Sequence, residues 1–329
     1  MKTRPHAAIL AAALVILSGD RTTWTSALQA PSNPLPGVRL SLDELRQQFF
    51  RVSAGRRLKP RSWPNGSRMA VALSFDVDNA TIALSQGNTA AGDLSRGEYG
   101  AIEGLPRVLR LLDRHDIAAS FFIPAVSAAL HPHMIGDILS RQRHEIGVHG
   151  WIHEQLPLLN NEAEEQRLLN QSIEYLSKAI GKRPVGYRAP SWAFSRYTMK
   201  LVKEAGFLYD SSLMASDDAY EILLGGQPTG VVELPIEWIL DDSPYFGATA
   251  NGSLPSADLA LQTFQSEFDV AYDEGGLFVL TMHPHLIGHR SRIVLLDRLI
   301  THMKSKRGVW FATHEQVARY VKTAGTATP

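Results

Sequence analysis

The stretch Met69–Asp78, with the sequence MAVALSFDVD, decides how the rest of the chain is interpreted. Residues 69–75 form a continuous, mostly apolar run, which is typical of a strand buried on both faces of a parallel sheet. From here towards the C-terminus, strand-like and helix-like segments alternate, which favours parallel strands with helices packed outside them. The sequence therefore predicts an α/β fold. A single α/β barrel of ~250 residues would fill most of the 329 residues of the chain.

Ionisable side chains lie at or directly after the ends of several predicted strands. These strands span residues 69–75, 145–148, 185–188 and 277–282, and the side chains are those of Asp76, Asp78, His149, Arg188 and His283. The carboxyl ends of the strands form the active-site face of α/β barrels. Independent strands that deliver ionisable groups to one face are hard to explain by packing alone, so we expect a catalytic site there.

His149 and His153 lie four residues apart in the sequence HGWIH. Such a pair faces the same way when the segment coils into a helical turn. Histidine pairs also occur on solvated surfaces, but Gly147 and Gly150 indicate tight backbone packing that a solvated face would not need. With Asp78 as an oxygen ligand, three protein ligands and one open position match a catalytic zinc site. We therefore predict a bound Zn²⁺ or another divalent transition metal.

Asp76 and Asp78 are two residues apart, and residues at that spacing in a strand point to the same side. A lone Asp-x-Asp after a strand is more often a turn or a helix cap. If both carboxylates reach one site, repulsion would keep one protonated unless a bound cation holds both ionised. Asp78 would then bind the metal and Asp76 would remain as a base. Glu154 either orients a metal-binding imidazole or is a surface carboxylate, with equal weight.

Arg188, at the end of a predicted strand, has two interpretations. It either pairs with a surface acid or fixes Asp76 by a forked hydrogen bond, which would keep the pKa of Asp76 low. Trp192, four residues further on, is either a core residue or a wall of a substrate pocket. The sequence leaves both choices open.

His283 follows a predicted strand, and a histidine there can donate a proton to a leaving amine because its pKa lies near neutrality. His285 and His289 are close competitors, which we expect to be peripheral. The segment Asp241–Tyr245, with the sequence DDSPY, is predicted to be a loop. An acid in this loop either raises the pKa of His283 or belongs to a solvated turn.

The composition is ordinary for a globular protein, with 44% hydrophobic and 20% charged residues. Lys plus Arg equals Asp plus Glu, at 33 each. Nucleic-acid binding normally requires a basic excess, so we expect no nucleic-acid partner. The chain has no cysteine, so its fold must stand without disulfides even in an oxidising compartment.

The N-terminus is predicted to be a signal peptide, residues 1–30, which implies a secreted or periplasmic protein. Lys2 and Arg4 precede the apolar run Ala7–Leu17, which is shorter than the ~20 residues of a membrane span. Cleavage near Ala27 or Ala30 would leave no stable membrane insertion, whereas an uncleaved anchor is the alternative. We divide the remainder into a linker and N-terminal extension (31–66, basic and irregular from residue 51), a catalytic domain (67–322) and a C-terminal tail (323–329).

Four ordered motifs resemble those of the polysaccharide deacetylase superfamily, carbohydrate esterase family four. The match spans roughly residues 69–320, and the motifs are SFDVD at 74–78, HGWIH at 149–153, RAPSW at 188–192 and LTMH at 280–283. The resemblance implies a distorted (β/α) barrel of the NodB-homology type with seven or eight parallel strands. It also implies a hydrolase of carbon–nitrogen bonds other than peptide bonds.

The resemblance assigns a role to each motif. The first aspartate of the first motif would be the base and the second a metal ligand, and both histidines of the second motif would bind the metal. The third motif would line the groove and tether the base, and the last would supply the acid. The implied catalytic residues are Asp76, His283 and Arg188, the metal ligands are Asp78, His149 and His153, and the substrate-binding residues are Ser191, Trp192 and Tyr245. Backbone N–H groups near Ser191 would help to hold the oxyanion.

The first motif departs from the common Asp-Asp-Gly form, because Val77 separates the two aspartates and Asn79 follows them. The segments 95–100, 240–246 and 283–290 resemble a branch that includes a peptidoglycan-deacetylase-like protein, allantoinases and cyclic-imide hydrolases, often as homo-oligomers. The substrate is thus an N-acetylated glycan or, alternatively, a small cyclic amide or imide. An open groove would favour the polymer, and a pocket closed by a loop at 93–99 would favour the small molecule. A non-catalytic glycan-binding protein is the third alternative.

Overall fold

The computed structural model of the chain describes residues 37–159, 161–247 and 256–324. The predicted signal peptide, residues 31–36 of the predicted linker and residues 325–329 of the predicted tail lie outside this range. None of the helices in the described part has the length and apolar character that crossing a bilayer requires.

One mixed sheet organises the described residues. Its strands are β1 (Val52–Arg57), β2 (Met69–Asp76), β3 (Ser120–Ile123), β4 (Glu145–Val148), β5 (Gly186–Tyr187), β6 (Tyr209–Asp210), β7 (Tyr220–Leu224), β8 (Gln227–Glu233), β9 (Leu277–Met282) and β10 (Val309–Phe311). The pairing order β8-β6-β5-β4-β3-β2 is parallel throughout, and β9 and β10 each pair in parallel with β2. These parallel strands confirm the expected distorted barrel.

Helices lie between the strands as the alternating pattern predicted. They are α1 (Leu42–Phe49), α2 (Thr81–Ser85), α3 (Ala91–Tyr99), α4 (Leu105–His115), α5 (Ala125–Leu130), α6 (His133–Leu139), α7 (Glu162–Ile180), α8 (Thr198–Glu204), α9 (Ser243–Phe246), α10 (Ala257–Glu274), α11 (Pro284–Ile287), α12 (Arg290–Ser305) and α13 (His314–Ala324). The longest, α7, begins where the Asn161 side chain accepts a hydrogen bond from Glu164 N–H and ends at Gly181 with φ of 80°.

The first strand corrects one expectation from the sequence. Residues 51–68 were expected to be irregular, but β1 pairs antiparallel with β7, which in turn pairs antiparallel with β8. The sequence of β1, VSAGRR, is largely polar because this strand is at the edge of the sheet and only partly buried. Edge strands often carry charged residues, so β1 has no apolar run that would reveal it.

The side chains of β2 alternate between the two faces of the sheet, and this alternation determines which face carries its polar residues. Every residue of β2 is buried. Its odd-numbered positions pack into the larger apolar cluster, and Ala70 and Ala72 belong to a second cluster on the opposite face. Because side chains alternate between the faces of a strand, Ser74 and Asp76 share the face of these alanines. The segment after β8 meets β9 by a single isolated parallel bridge, between Asp241 and Thr281.

Candidate active site

Asp78, His149 and His153 converge beyond the carboxyl ends of β2 and β4. One ligand atom from each lies within 4.8 Å of the others. His149 Nε2 is 3.4 Å from Asp78 Oδ1, and His153 Nε2 is 3.8 Å from Asp78 Oδ2. All three side chains are buried. The structure therefore brings together the three residues that the sequence predicts as metal ligands.

The chemistry of these residues fits a divalent metal ion. Both carboxylate oxygens of Asp78 are buried, and neither accepts a hydrogen bond from any described residue. His149 Nδ1 lies 2.8 Å from the carbonyl oxygen of Arg188, so Nδ1 carries the hydrogen and the Nε2 lone pair faces Asp78. Burial lowers the pKa of His149, and it lowers the pKa of His153 to about 4. Two neutral imidazoles and an unpaired carboxylate are the donor set of a zinc site.

The segment that carries both histidines is a tight bend, and the expectation of a helical turn is wrong. Gly150 and His153 both have positive φ, 75° and 60°. Oε2 of Glu154 accepts hydrogen bonds from the N–H groups of Trp151 and Ile152, each at 2.9 Å. These bonds fold the chain back on itself so that both imidazoles face Asp78. The buried Glu154 therefore holds the bend and is not a surface carboxylate.

Asp76 is held in a second set of contacts beside the predicted metal ligands. Nη1 of the buried Arg188 donates to Asp76 Oδ1 at 2.7 Å and also to Ser74 Oγ at 3.0 Å. The bond to Asp76 is thus single and not forked, because the rest of the guanidinium is engaged elsewhere. Burial raises the pKa of Asp76, but the charge and hydrogen bond of Arg188 oppose it, and the pKa lies below its ordinary value. Asp76 is therefore ionised at neutral pH.

His283 is buried between acidic groups. Its Nδ1 is 2.7 Å from Oδ1 of Asp242, whose Oδ2 accepts the backbone N–H of His283 at 3.1 Å. Nε2 of His283 points towards Asp78, with 3.6 Å to Oδ2. Burial lowers the pKa of His283, but Asp241, Asp242 and Asp78 raise it well above its ordinary value. The acid in the predicted loop therefore belongs to this arrangement, and the carboxylates around His283 favour its protonated form.

The three predicted substrate-binding residues differ in their positions. Ser191 is exposed and Trp192 is buried, and both have positive φ, 52° and 56°. The Trp192 indole packs at a tilt of 36° against the exposed indole of Trp238, with 4.2 Å between ring centroids. The N–H of Trp192 donates to Ala189 O at 2.9 Å, so the local turn already uses that group. These residues remain predictions for substrate contact.

Tyr245 lies in a different environment from the other two. Its hydroxyl donates to the carbonyl of Ile239 at 3.2 Å, and its ring packs edge-on against Phe264 of α10. The contacts described for Tyr245 therefore hold the segment around α9, and its predicted role in substrate binding has no contact here to support it.

Three polar residues around Arg188 were not anticipated from the sequence. Ser211 accepts from Nε through its carbonyl at 2.9 Å and from Nη2 through its hydroxyl at 2.8 Å. Ser74 Oγ accepts a hydrogen bond from Nη1, which also donates to Asp76, and His314 Nε2 lies 3.4 Å from Nη2. Ser211 directly follows β6, so it is another polar residue at the end of a strand. That strand has only two residues, too few to show a pattern in the sequence.

Helix α3 forms part of the rim of the site. It occupies the region predicted to be a loop at residues 93–99. A Cβ added to Gly97 would overlap the backbone of Ala80, so α3 packs directly on the turn that follows Asp78. The Tyr99 ring stacks on His289 at 4.2 Å. The rim on this side is therefore built from packed secondary structure.

The chain is similar to several known proteins. The family model described as polysaccharide deacetylase matches residues 97–209. A peptidoglycan deacetylase of Helicobacter pylori is 29% identical over 279 residues, which cover 75% of this chain and 94% of that protein. A crystal structure of a protein assigned as a polysaccharide deacetylase from Mycobacterium smegmatis is 37% identical, with a TM-score of 0.76, covering 84% of this chain and 97% of that one. The chain belongs to the polysaccharide deacetylase family.

A further structural neighbour has a different name. The crystal structure of Puue allantoinase is 25% identical, with a TM-score of 0.73, and the match covers 84% of this chain and 96% of that one. Family membership confirms the expected fold and identifies this deacetylase-family chain as a hydrolase of carbon–nitrogen bonds other than peptide bonds.

Proposed function

We propose that the protein is a secreted, metal-dependent N-deacetylase of an amino-sugar polysaccharide, such as peptidoglycan or a chitin-like glycan. The observation that carries this proposal is one buried cluster in which Asp78, His149 and His153 lie beside Asp76 and His283. The similarity to the peptidoglycan deacetylase of Helicobacter pylori supports the choice of substrate. Secretion rests on the signal peptide predicted in residues 1–30.

Asp78, His149 and His153 would hold the metal ion, and borderline-soft imidazole ligands favour zinc among the divalent metals. When bound, the ion would supply Lewis acidity for the amide carbonyl and for the attacking water. The residues of the chain supply the positioning and the proton transfers. Because His149 Nδ1 is fixed by the Arg188 carbonyl, the imidazole cannot turn away from Asp78.

Asp76 would take the proton as water attacks the acetyl carbon. An ionised carboxylate is required for this step, and the hydrogen bond from Arg188 keeps Asp76 ionised. The second oxygen of Asp76, Oδ2, lies 3.7 Å from His149 Nε2. The oxygen bound by Arg188 is therefore fixed, and the other one faces the predicted metal ligands.

His283 would give a proton to the nitrogen as the carbon–nitrogen bond breaks. Its Nε2 faces the site, and its Nδ1 hydrogen is held by Asp242. The carboxylates around His283 favour the imidazolium that acts as the donor. Asp76 and His283 would thus act as a base and an acid next to the predicted metal ligands.

A small cyclic amide or imide is the second candidate substrate. It keeps the same chemistry, because ring opening also requires a base for water and an acid for nitrogen. The similarity to Puue allantoinase supports it, as does the packing of α3 on the rim next to Asp78. In that case the released product retains both halves of the substrate, and no acetate forms.

A substrate screen on the purified protein tests the proposal. The protein is stripped of metal with a chelator, reloaded with Zn²⁺, and offered N-acetylated chito-oligosaccharides, peptidoglycan and a cyclic imide. We expect zinc-dependent release of acetate from at least one glycan. His149→Ala is the control variant, and it should lose bound zinc and turnover together. Ring opening of the imide without acetate release would reassign the substrate, and full zinc occupancy in His149→Ala would contradict the ligand set.

A further inference from the structure

A second pair of carboxyl groups is buried behind Arg188, outside the predicted catalytic cluster. Asp210 at the end of β6 and Glu233 at the end of β8 are register partners in the parallel sheet, and both are fully buried. Register partners in a parallel sheet direct their side chains to the same side, so the two carboxyl groups are neighbours. Asp210 Oδ2 and Glu233 Oε2 are buried, and neither has a hydrogen-bond partner among the described residues. These two oxygens are therefore the ones available to each other.

The other oxygen of each carboxyl group is fully engaged. Asp210 Oδ1 accepts from the Ser212 hydroxyl at 2.9 Å. Glu233 Oε1 accepts from the backbone N–H groups of Ser212 and Leu213, both at 2.9 Å. Each of these oxygens is an acceptor in a fixed orientation. The remaining two oxygens can form a hydrogen bond only if a proton lies between them.

The surroundings favour retention of that proton. Burial raises the pKa of Asp210 and of Glu233, and the negative charge of Asp210 raises the pKa of Glu233 further. The groups facing the pair from β5 and β7 are the cation of Arg188 and the phenols of Tyr187 and Tyr220. Arg188 favours one negative charge on the pair. Loss of the last proton would leave two facing carboxylates in the interior.

The pair also holds the segment on which Arg188 rests. Ser211, which follows Asp210, accepts hydrogen bonds from Nε and Nη2 of Arg188. The Ser211 hydroxyl donates in turn to the carbonyl of Leu234, which follows Glu233, at 2.9 Å. Ala189 N–H, the next residue after Arg188, donates to the Ser212 hydroxyl at 2.9 Å, and that hydroxyl donates to Asp210. A displacement of the pair would therefore shift both the side chain and the backbone of Arg188.

We propose that Asp210 and Glu233 share a single proton and act together as positioning residues for Arg188, and through it for Asp76. The positioning part rests on the proposed role of Asp76 as the base. The sharing of a proton does not depend on catalysis and is measured separately. Neither residue touches the reacting atoms.

The shared proton predicts how amide substitutions behave. In Glu233→Gln, the amide oxygen keeps the two backbone donors and the NH₂ group donates to Asp210. In Asp210→Asn, the amide oxygen keeps Ser212 and the NH₂ group donates to Glu233. Each single variant therefore replaces the shared proton with an N–H bond. In the double variant two NH₂ groups face each other, and buried donors are left without an acceptor.

The first arm of the experiment measures stability alone, on the zinc-loaded protein and on both single variants and the double variant. A group whose folded pKa is raised contributes stability that is lost as pH rises through that pKa. The wild type should therefore lose Tm towards alkaline pH more steeply than Glu233→Gln. At pH 7 both single variants should stay near the wild type, and the double variant should fall by ~2–10 °C beyond the sum of the single variants. Additive effects, or single variants that are as damaged as the double, would overturn proton sharing.

The second arm measures kcat and KM well below the Tm of every variant, with zinc content checked. A misplaced Arg188 should lower kcat on the order of 10–10²-fold in the double variant, with KM and zinc retained. The single variants, which conserve the hydrogen bonds, should keep kcat. Normal kcat in the folded double variant would overturn the positioning role and leave proton sharing standing. If wild type has no deacetylase or imidase activity while the stability arm succeeds, the proposed function has failed and the pair has not.

Discussion

Two pairs of buried carboxyl groups lie near Arg188. In each pair, two acidic groups are close together in the protein interior, and the two pairs are stabilised in different ways. Asp76 and Asp78 face positively charged or metal-binding groups, and Arg188 holds the pKa of Asp76 below its ordinary value against the effect of burial. Asp210 and Glu233 face each other, and burial raises the pKa of both. Asp76 of the first pair is kept ionised by a neighbouring cation, whereas burial raises the pKa of Asp78. We infer that the second pair is kept compact by a proton. A carboxylate that must react requires the first solution.

A third pair, Asp241 and Asp242, follows the cationic pattern. His283 Nδ1 lies 3.6 Å from Asp241 and 2.7 Å from Asp242. Burial raises the pKa of both acids, and the charge of His283 opposes it. The cation here is titratable, so His283 can release a proton to a substrate whereas Arg188 cannot. Arg188 therefore only balances charge, whereas His283 can also donate a proton.

The largest effect is expected when Asp76, the carboxylate that Arg188 holds, loses its charge. Asp76→Asn keeps the size of the side chain but cannot accept a proton, and a general base typically contributes ~10²–10⁴-fold to the rate. We expect turnover to fall by that amount with zinc retained, since Asp78, His149 and His153 are unchanged. Zinc content and kcat are measured on the same sample. Near-normal turnover with full zinc would show that Asp76 is not the base.

A smaller and more selective effect is expected at His283. An amine is a poor leaving group until it is protonated, whereas an ester with a good leaving group requires little proton transfer. We therefore expect His283→Ala to reduce amide turnover by ~10²-fold or more and to affect an activated ester much less. The ratio of the two rates is measured on one preparation. If both fall by the same factor together with the Tm, His283 serves packing and not proton transfer.

The sequence was informative where burial is complete and poor where strands are short. Strand β2 is buried on both faces, so its apolar run and the two aspartates after it stood out. Strand β6 has only two residues, and without it Asp210 and Ser211 could not be recognised as polar strand ends. The positions of Arg188 and Asp76 followed from the same rule. Their single hydrogen bond did not, because the partners of the other guanidinium nitrogens come from elsewhere in the chain.

The hairpin of β7 and β8 shows a signal that was present but not used. Gly225 and Gly226 join these strands, and both have positive φ, 57° and 76°. Two glycines between apolar and β-branched segments are typical of a two-residue hairpin turn. The hairpin matters to the site because β8 ends at Glu233. The bend at 149–154 contains one such residue, Gly150 with φ of 75°, but its shape also depends on Glu154 reaching back to two N–H groups.

The smallest effect on turnover is expected for Tyr209→Phe, which tests a third way of stabilising a buried carboxylate. Glu145 is held by hydrogen-bond donors, from Tyr209 OH at 2.7 Å, Ser120 Oγ at 2.8 Å and Glu315 N–H at 2.8 Å. Tyr209→Phe removes one donor without adding volume. We expect a loss of ~1–3 kcal/mol of stability at pH 7, with kcat unchanged, because none of these groups contacts Asp76 or the predicted metal ligands in the described structure.

The pH dependence of that loss separates a lost hydrogen bond from lost packing. Burial raises the pKa of Glu145, and the Tyr209 hydroxyl opposes the rise, so removal of the hydroxyl raises the folded pKa further. A raised folded pKa disfavours the folded state as pH rises. The deficit of Tyr209→Phe should therefore be largest near neutrality and shrink as pH falls towards the ordinary glutamate value of 4.5. Denaturant unfolding at pH 7 and pH 5 measures the two deficits. A deficit that is equal at both would assign the role of Tyr209 to packing, and the contrast between charged, proton-sharing and donor-held carboxylates would lose its third member.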